Sequence, residues 1–333
     1  MASPARHTPS INRSAAGYRP GADHTRRKLC GTHPQNLVRS MTAVMGIDGG
    51  GSTIRVVIVT PDLVVLGQSI GPTANPSLIG REAAAHVIHV AMREALDNAK
   101  LNPGEIRAVG IGVAGAAASH SEDWLRGVVS AILPKALIAP SADYETALVG
   151  AFGQRVGVLV LAGTGSLAYG VNEAGVTALI GGWGYLLGDE GSGYWLGNEG
   201  LRAITKAVEG RGPATMLTER LLNALNLSHP RELVPWIYRA NRTREIAALA
   251  PLVLELAATD VAAQRIVLRG AEALAEITRT VIRQLNMKSP AVAFAGGLLS
   301  ESNPLSAALC SLLGLSAIPT PRYPPVIGAA LLA

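Results

Sequence analysis

Short apolar runs separated by polar turns dominate the chain from residue 42 onward, and their spacing predicts alternating strands and helices. The first three runs are only a few residues apart, which predicts a meander of three strands. Residues 81–99 instead carry apolar side chains at helical spacing. The predicted strands of this first half are 43–47, 54–60, 63–70, 106–113 and 136–138, and the predicted helices are 81–99, 122–133 and one that begins after Asp143. Such alternation predicts an α/β fold with a mixed sheet.

The same order of elements returns about 115 residues later, and two copies of one supersecondary unit indicate an internal duplication. Apolar runs at 155–161, 167–171 and 176–180 again predict three strands, with a glycine-rich turn between the first two. We therefore expect a duplicated fold with a cleft between its halves. The remaining chain is predicted to be mainly helical from 190 to 287, with a long helix at 261–285, a strand at 291–295 and a terminal helix at 326–333.

Composition and charge divide the chain into a tail and a folded part. Of 333 residues, 48% are hydrophobic and 16% charged, which is typical of a globular protein. The first forty residues hold seven Lys and Arg against one acid, Asp23, a balance of +6 that leaves −1 for the remainder of a chain of net charge +5. We predict that residues 1–41 are disordered, with an organelle transit peptide or an upstream start before Met41 or Met45 as open explanations.

The domain prediction is thus a basic tail at 1–41, a first lobe at 42–153 and a second lobe at 154–333. Because the positive charge belongs to the tail, the folded part gives no reason to expect nucleic acid binding. No apolar run of membrane-spanning length is present, so no membrane partner is expected. Cys30 and Cys310 form neither a disulfide framework nor a metal spacing, which favours a cytoplasmic protein. His86 and His89 share one predicted helix without a carboxylate that would complete a zinc site.

The segment Asp-Gly-Gly-Gly-Ser-Thr at 48–53 follows the first strand directly. Glycines allow the backbone to approach a polyphosphate, and successive N–H groups can form an anion nest. Gly50, Gly51 and Ser52 are therefore candidate phosphate ligands, and Asp48 is a candidate ligand for Mg²⁺. The turn lacks the P-loop lysine and leads into a strand, so neither a P-loop nor a dinucleotide-binding turn is indicated. A structural hairpin turn stays open as the alternative.

A second glycine turn, Gly163, Thr164, Gly165 and Ser166, repeats this chemistry in the second half. Two such turns facing each other across a cleft are what a phosphoryl transferase needs to hold the phosphates of a nucleotide. Two unrelated tight turns are the alternative.

Asp143 ends a short predicted strand and begins a helix. An aspartate there could simply cap the helix, which requires no function. Strand ends that face a cleft are also where α/β proteins collect catalytic groups, and a carboxylate there could accept the proton of an attacking hydroxyl.

The segment Gly-Gly-Trp-Gly-Tyr-Leu-Leu-Gly-Asp-Glu-Gly-Ser-Gly-Tyr-Trp at 181–195 combines glycines, aromatic rings and carboxylates. Core packing accounts for Tyr194 and Trp195. It does not account for a Gly-Trp-Gly turn followed by Gly-Asp-Glu-Gly-Ser, which indicates a rigid loop that offers backbone amides, an indole face and a carboxylate. Sugars are bound by this mixture of groups.

Together, the two glycine turns and segment 181–195 resemble the N-acetylglucosamine kinase branch of the BadF/BadG/BcrA/BcrD ATPase family, over nearly all of 42–333. This resemblance implies a duplicated ribonuclease-H-like, actin-like ATPase fold whose two lobes bind ATP and sugar in the cleft between them. It implies Mg²⁺ at Asp48, phosphate contacts from the first turn, and Asp143 as the general base. The sugar contacts that it implies are Asn75, Asp143, Thr164, Gly182, Trp183 and Asp189, and the adenosine side is Gly296 and Gly297.

The function that the resemblance implies is phosphorylation of the 6-hydroxyl of N-acetylglucosamine, with glucosamine and N-acetylmuramic acid as alternative substrates and a homodimer as one open assembly. One departure bears on this: Ala114 stands where animal relatives have a serine, so one sugar hydrogen bond is missing or replaced. Two rivals stay open. An ATPase activator of a 2-hydroxyacyl-CoA dehydratase would need interface cysteines for an iron–sulfur cluster, and neither Cys30 nor Cys310 is suitably placed. A non-catalytic sugar sensor is the other rival.

Overall fold

The computed structural model describes residues 42–115, 121–239 and 242–333. The predicted disorder of the tail at 1–41 lies outside these residues. The strands are β1 Ala43–Gly49, β2 Thr53–Val59, β3 Val65–Pro72, β4 Ile106–Val113, β5 Leu137–Ser141, β6 Gly157–Ala162, β7 Ser166–Val171, β8 Thr177–Gly181 and β9 Val292–Ala295. The helices are α1 Pro76–Ile79, α2 Arg81–Ala99, α3 Ser121–Ser130, α4 Asp143–Phe152, α5 Gly193–Val208, α6 Leu217–Ala224, α7 Leu233–Ile237, α8 Thr243–Ala247, α9 Ala250–Leu256, α10 Val261–Gln284, α11 Pro304–Leu313 and α12 Pro325–Leu332.

Five strands form the first sheet, in the order β3-β2-β1-β4-β5. The predicted meander β1-β2-β3 is antiparallel, and β4 and β5 join it in parallel. The strand predicted at 63–70 begins two residues later because Leu63, at φ +60°, belongs to the turn. β5 runs beyond its predicted end at 138: Pro140 and Ser141 still pair with β4. A proline is tolerated there because β5 is an edge strand, which leaves one side without ladder bonds.

The second sheet has the order β8-β7-β6-β9, which repeats the first four positions of the first sheet. Here too the first three strands are antiparallel, and β9 joins β6 in parallel. The difference lies in the crossover: the short α1 and α2 lie between β3 and β4, whereas helices α5 to α10 lie between β8 and β9. The predicted duplicated ribonuclease-H-like fold is therefore confirmed.

Helix α4 lies between the two sheets and fixes how they meet. Its buried Leu148 and Val149 pack with Leu159 of β6 and Tyr169 of β7. The terminal helix α12 then packs against α4 and returns to β1 of the first sheet. The predicted boundary between lobes at 153/154 stays a prediction, and α12 associates with the first sheet although it ends the chain.

Glycines make this return of α12 possible. A Cβ on Gly110 of β4 would lie 1.8 Å from the carbonyl oxygen of Ala329, and one on Gly46 of β1 would lie 2.1 Å from that of Val326. Such distances leave no space for a side chain, so the helix backbone rests directly on the strands.

Gly110→Ala is accordingly expected to lower the free energy of unfolding by about 1–3 kcal/mol, because the added methyl group would clash with the backbone carbonyl of Ala329 in the packed helix α12. The measurement is urea unfolding followed by circular dichroism. Gly104→Ala is the matched control, since nothing lies within 4 Å of a Cβ at that position, and its effect should stay within about 0.5 kcal/mol. Equal midpoints for the two variants would contradict the packing argument.

Within the described ranges, no single helix is both long and apolar enough to cross a membrane. Two helical stretches, 243–256 and 261–284, meet the length and composition requirement only when they are taken together, and the chain bends by 112° between them.

Candidate active site

The first glycine turn connects β1 to β2 at the edge where β4 also ends. Gly50 N–H donates to the carbonyl of Thr53 at 2.9 Å, which closes the turn. Thr73 holds it from outside, with Oγ1 donating to the carbonyl of Gly50 at 3.2 Å. Asp48, the last but one residue of β1, places its carboxylate beneath the turn and is only 8% exposed.

The second turn connects β6 to β7 and is closed by a bond from Gly163 N–H to the carbonyl of Gly165 at 2.9 Å. The start of α5 docks on it, with Gly193 N–H donating to the Gly163 carbonyl at 2.7 Å. A Cβ built on Gly51 would lie 4.0 Å from Thr164 Oγ1. The two turns, 48–53 and 163–166, therefore face each other directly, as the duplication predicted.

Asp48 and Asp143 are linked through Thr146. The Thr146 hydroxyl lies 3.0 Å from Asp48 Oδ1 and 2.8 Å from the backbone carbonyl oxygen of Asp143. One hydroxyl hydrogen cannot serve both oxygens, so a protonated Asp48 that donates to Thr146 would satisfy the whole chain of bonds. Burial raises the pKa of Asp48 to about 7; the Thr146 bond and Arg55 oppose the rise, and the charge of Asp143 adds to it.

Asp143 is the first residue of α4, not its N-cap. The N-cap position is Ala142, whose N–H donates to Glu145 Oε2 at 2.7 Å, so Glu145 supplies the capping carboxylate. Asp143 is half-buried, and burial raises the pKa of its carboxyl to about 6 against the hydrogen bonds from the Tyr144 amide and its own amide. Glu145 therefore bonds the N–H of the N-cap residue, while the Asp143 carboxylate accepts the amides of Asp143 and Tyr144 in the first turn of α4.

Asp189 lies against the second turn. It is 8% exposed and adopts φ +61°, a left-handed conformation that is uncommon outside glycine and asparagine-like residues. A Cβ on Gly165 would lie 2.7 Å from Asp189 Oδ2. Burial raises the pKa of Asp189, whereas the amides of Ser166 and Gly184 bond to the carboxylate and oppose the rise. The missing side chain of Gly165 is what lets the carboxylate reach the turn.

The loop before Asp189 is anchored at its start and open at its tip. Gly182 N–H donates to the carbonyl of Ser166 at 3.0 Å, which continues the ladder of β7 and β8. Trp183 is 75% exposed, and Leu186 and Leu187 are also exposed. The indole face expected from the sequence is therefore presented to solvent beside the buried Asp189.

Asn75 lies at the other side of the first turn. Its Oδ1 accepts the N–H of Ser77 at 2.9 Å and so caps α1. Its Oδ1 also lies 2.2 Å from where a Cβ on Gly115 would stand. The neighbouring Ala114 donates its N–H to the carbonyl of Gly49 at 2.6 Å. Ala114 is therefore bonded directly to the end of β1 before the turn, and its neighbour Gly115 lies against Asn75.

Gly296 and Gly297 follow β9 and lie behind the second turn. Gly296 has φ +86°, and a Cβ there would lie 2.2 Å from the carbonyl oxygen of Ala162. Gly297 has open space around its Cα, with nothing within 4 Å of a Cβ. These two glycines thus leave an accessible backbone surface next to Gly163.

The residues present fit a nucleotide and a magnesium ion. The two glycine turns offer backbone amides where no Cβ intervenes. Asp48 is a buried carboxylate with a raised pKa, and a bound cation would favour its charged form. Within the described residues no group of three or more His, Cys, Asp or Glu could hold a metal. Mg²⁺ does not require one, because it keeps water and phosphate ligands beside one or two carboxylates.

Several site residues carry no signal in the sequence. Thr146 reaches Asp48 across 98 positions, and Thr73 reaches Gly50 across 23. Arg244 of α8 donates from Nη2 to the carbonyl of Gly51 at 3.0 Å across 193 positions. Only the position of Thr146, one helical turn after Asp143, hinted that it faces the same side of α4.

Among the cysteine and histidine candidates, Cys310 and His89 lie in structural surroundings of their own. Cys310 is buried in the core of the second lobe, and burial raises the pKa of its thiol, opposite to what a thiolate ligand requires. Cys30 lies outside the described residues. His89 contacts the carbonyl of Val128 through Nε2 at 2.8 Å, which gives it a structural partner.

Similarity to known proteins extends over both sheets. A sequence profile of the BadF/BadG/BcrA/BcrD ATPase family matches residues 45–333. The N-acetylmuramic acid/N-acetylglucosamine kinase of Clostridium acetobutylicum is 33% identical over 267 residues, 79% of this chain and 87% of that protein. The N-acetyl-D-glucosamine kinase of Dictyostelium discoideum is 31% identical over 281 residues, with the same two coverages of 79% and 87%. Among solved structures, a candidate N-acetylglucosamine kinase from Chromobacterium violaceum matches with a TM-score of 0.73 at 28% identity, covering 88% of this chain and 99% of that one.

Proposed function

Because this chain belongs to the BadF/BadG/BcrA/BcrD ATPase family, we propose that it is an ATP-dependent amino-sugar kinase. The observation that carries the proposal is the meeting of two glycine turns from the two halves, 4.0 Å apart as measured from a Cβ on Gly51 to Thr164 Oγ1. One turn adjoins Asp48 and Asp143, and the other adjoins Asp189. Candidate phosphate-binding backbone and candidate catalytic carboxylates thus lie close together, which supports the proposal.

The proposed reaction transfers the γ-phosphoryl group of ATP to the 6-hydroxyl of N-acetylglucosamine. The Asp143 carboxylate accepts the proton of that hydroxyl as its oxygen attacks the phosphorus in line. A base with a pKa of about 6 is ionised at neutral pH and still basic enough to take a proton. The ADP oxygen leaves as the new phosphate ester forms.

The other residues are proposed to contact the metal ion, the phosphates, the adenosine or the sugar. Mg²⁺, when bound at Asp48, would supply positive charge to the phosphate oxygens. The proposed phosphate contacts are Gly50, Gly51, Ser52, Thr164, Gly165 and Ser166, with Gly296 and Gly297 beside the adenosine. The proposed sugar contacts are Asn75, Asp143, Thr164, Gly182, Trp183 and Asp189. Glucosamine and N-acetylmuramic acid are the alternative substrates, and Ala114 keeps them open because its side chain offers no hydroxyl to a sugar.

The test is a coupled ADP-release assay with N-acetylglucosamine, N-acetylmuramic acid, glucosamine and glucose. We expect the highest kcat/KM with N-acetylglucosamine, and mass spectrometry should find a sugar 6-phosphate. If the protein hydrolyses ATP and no sugar increases the rate, the result would contradict the proposed kinase activity and favour an ATPase activator of a 2-hydroxyacyl-CoA dehydratase. Sugar binding without ADP release would favour the sensor. A cytoplasmic location and a homodimer stay predictions.

The pH dependence of kcat/KM for the sugar should report the ionisation of Asp143. Because the base must be deprotonated, kcat/KM is expected to be constant above about pH 7 and to fall about tenfold per pH unit well below pH 6. Asp48 titrates next to it, so the acid limb should show coupled steps and not one clean pKa. The measurement is kcat/KM from pH 5 to 9. Activity that is independent of pH between 5 and 7 would argue against Asp143 as the base.

A further inference from the structure

Arg244 reaches the first glycine turn from the second lobe. It belongs to α8, in the helical segment between β8 and β9, and its Nη2 donates to the carbonyl of Gly51 at 3.0 Å. Gly51 is also the residue whose Cβ would face Thr164 of the second turn. The guanidinium therefore lies at the point where the two turns meet.

The helix that carries Arg244 is fixed to the second turn by close backbone packing. A Cβ on Gly197 of α5 would lie 2.0 Å from the carbonyl oxygen of Ile246 in α8, so the two helices touch without a side chain between them. α5 itself begins with the bond from Gly193 N–H to the carbonyl of Gly163 at 2.7 Å. Backbone contacts thus connect the second turn through α5 to α8, the helix that carries Arg244.

The negative charge of the site makes the position of Arg244 relevant to phosphate binding. Asp48, Asp143 and Asp189 are all carboxylates, and the first turn has no lysine of its own. A polyphosphate entering this cleft would meet negative charge, so its affinity depends on the cations nearby. Among the described residues, Arg244 is the cationic side chain that hydrogen bonds to either turn. Its side chain is exposed, and one of its five N–H groups is used on Gly51.

We propose that Arg244 is a polyphosphate-binding residue, which holds the first turn through Gly51 and directs its other N–H groups to the terminal phosphates of the nucleotide. A planar guanidinium suits this because it can bond a carbonyl and a phosphate oxygen at once, which an ammonium does less well. The inference rests on the proposed function for its nucleotide, and it adds a cationic side chain to a phosphate site that both glycine turns supply.

The test compares nucleotide affinities of Arg244→Ala and Arg244→Lys by isothermal titration calorimetry, with ATP and AMP in separate titrations. We expect Arg244→Ala to weaken ATP about 10- to 100-fold, the loss of a charged hydrogen bond, and to leave AMP unchanged. Arg244→Lys should fall between, and added guanidinium ion should restore part of the ATP affinity of the alanine variant. Arg265→Ala, an exposed arginine on α10, is the matched control and should behave as the wild type.

Two results would overturn the proposal. One is ATP affinity in Arg244→Ala equal to that of the control. The other is an equal loss of ATP and AMP affinity that neither lysine nor guanidinium restores, which would indicate a structural role for the contact with Gly51. The proposed function is judged separately, by wild-type ADP release with amino sugars. If the wild type phosphorylates no sugar while Arg244→Ala weakens the binding of ATP but not of AMP, the proposed kinase activity is refuted and the phosphate-binding role of Arg244 is upheld.

Discussion

Replacing Asp143 with asparagine is expected to lower kcat by roughly 10²- to 10⁴-fold, the range for removal of a general base. The reason is geometric as well as chemical. Asp143 begins α4 and is linked to Asp48 through Thr146, and the bond from the Ala142 N–H to Glu145 does not involve the Asp143 side chain. Asparagine keeps the shape and an acceptor oxygen, so the affinity for the sugar should be largely kept.

The measurement is steady-state kinetics with calorimetric titration of the sugar, and Asp123→Asn on the exposed face of α3 is the control. Loss of kcat with retained sugar affinity assigns the base. If Asp143→Asn keeps near-normal turnover, the base must be another carboxylate, and Asp189→Asn should then show the loss. A fall in both sugar affinity and thermal stability would mean that Asp143 is structural.

Asp48→Asn should have two opposite effects, a loss of activity and a gain in stability. We expect kcat/KM for ATP to fall on the order of 10²-fold, because the proposed magnesium ligand is gone. We expect the nucleotide-free protein to become more stable by about 1–3 kcal/mol at pH 8, because burial of the Asp48 charge is costly and asparagine avoids it. The side-chain NH2 of the asparagine can donate to the Thr146 oxygen while the Thr146 hydroxyl donates to the carbonyl of Asp143, so the chain of bonds survives.

The pH range in which Asp48→Asn stabilises the protein follows from the direction of the pKa shift of Asp48. The folded pKa of Asp48 is raised from 3.8 to about 7, so the folded state binds the proton more tightly than the unfolded chain. Its contribution to stability is therefore fully present below about pH 4 and lost as pH rises through 7. The gain from Asp48→Asn should be absent near pH 4 and complete above pH 7.

Asp260→Asn provides a control of opposite sign. Burial raises the pKa of Asp260, but the amide bonds from Ala263 and Met216 outweigh it and hold the pKa below its usual value. The charge of Asp260 thus stabilises α10, and its removal should destabilise the protein at neutral pH. Thermal unfolding of the three proteins from pH 4 to 8 tests both signs. A stability of Asp48→Asn that stays below the wild type at pH 8 would contradict the burial argument.

Local patterns in the sequence were enough to predict most elements. The helix predicted at 81–99 and the strand predicted at 106–113 match α2 and β4 at both ends. Both have strong periodicity and flanking turn residues, so the local signal coincides with the tertiary one. No element was predicted for α11, where Pro304 and the Asn303 cap mark a start but the chain is apolar on several sides. The end of β5 was missed because a proline is judged locally, whereas its tolerance depends on the strand being at an edge.

The candidate site divides in the same way. The two glycine turns were evident because each is a contiguous segment whose chemistry follows from its own residues, and their repetition predicted that they would face each other. The bond from Thr146 to Asp48, the placement of α12 on β1 and β4, and the reach of Arg244 to Gly51 had no local signal. Each joins segments distant in sequence, and no periodicity encodes such a contact.

The sequence by itself thus determined the duplicated fold and pointed to segment 48–53 as a candidate phosphate-binding turn with candidate catalytic carboxylates around it. The tertiary structure decided the pKa values of those carboxyl groups. The raised pKa values of Asp48 and Asp143 arise from burial, which α4 and the first sheet create only when they pack together. The glycine turn that follows β1 is only a candidate anion-binding segment in the chain alone; in the folded protein the second turn and Arg244 lie against it, which makes it half of the proposed site.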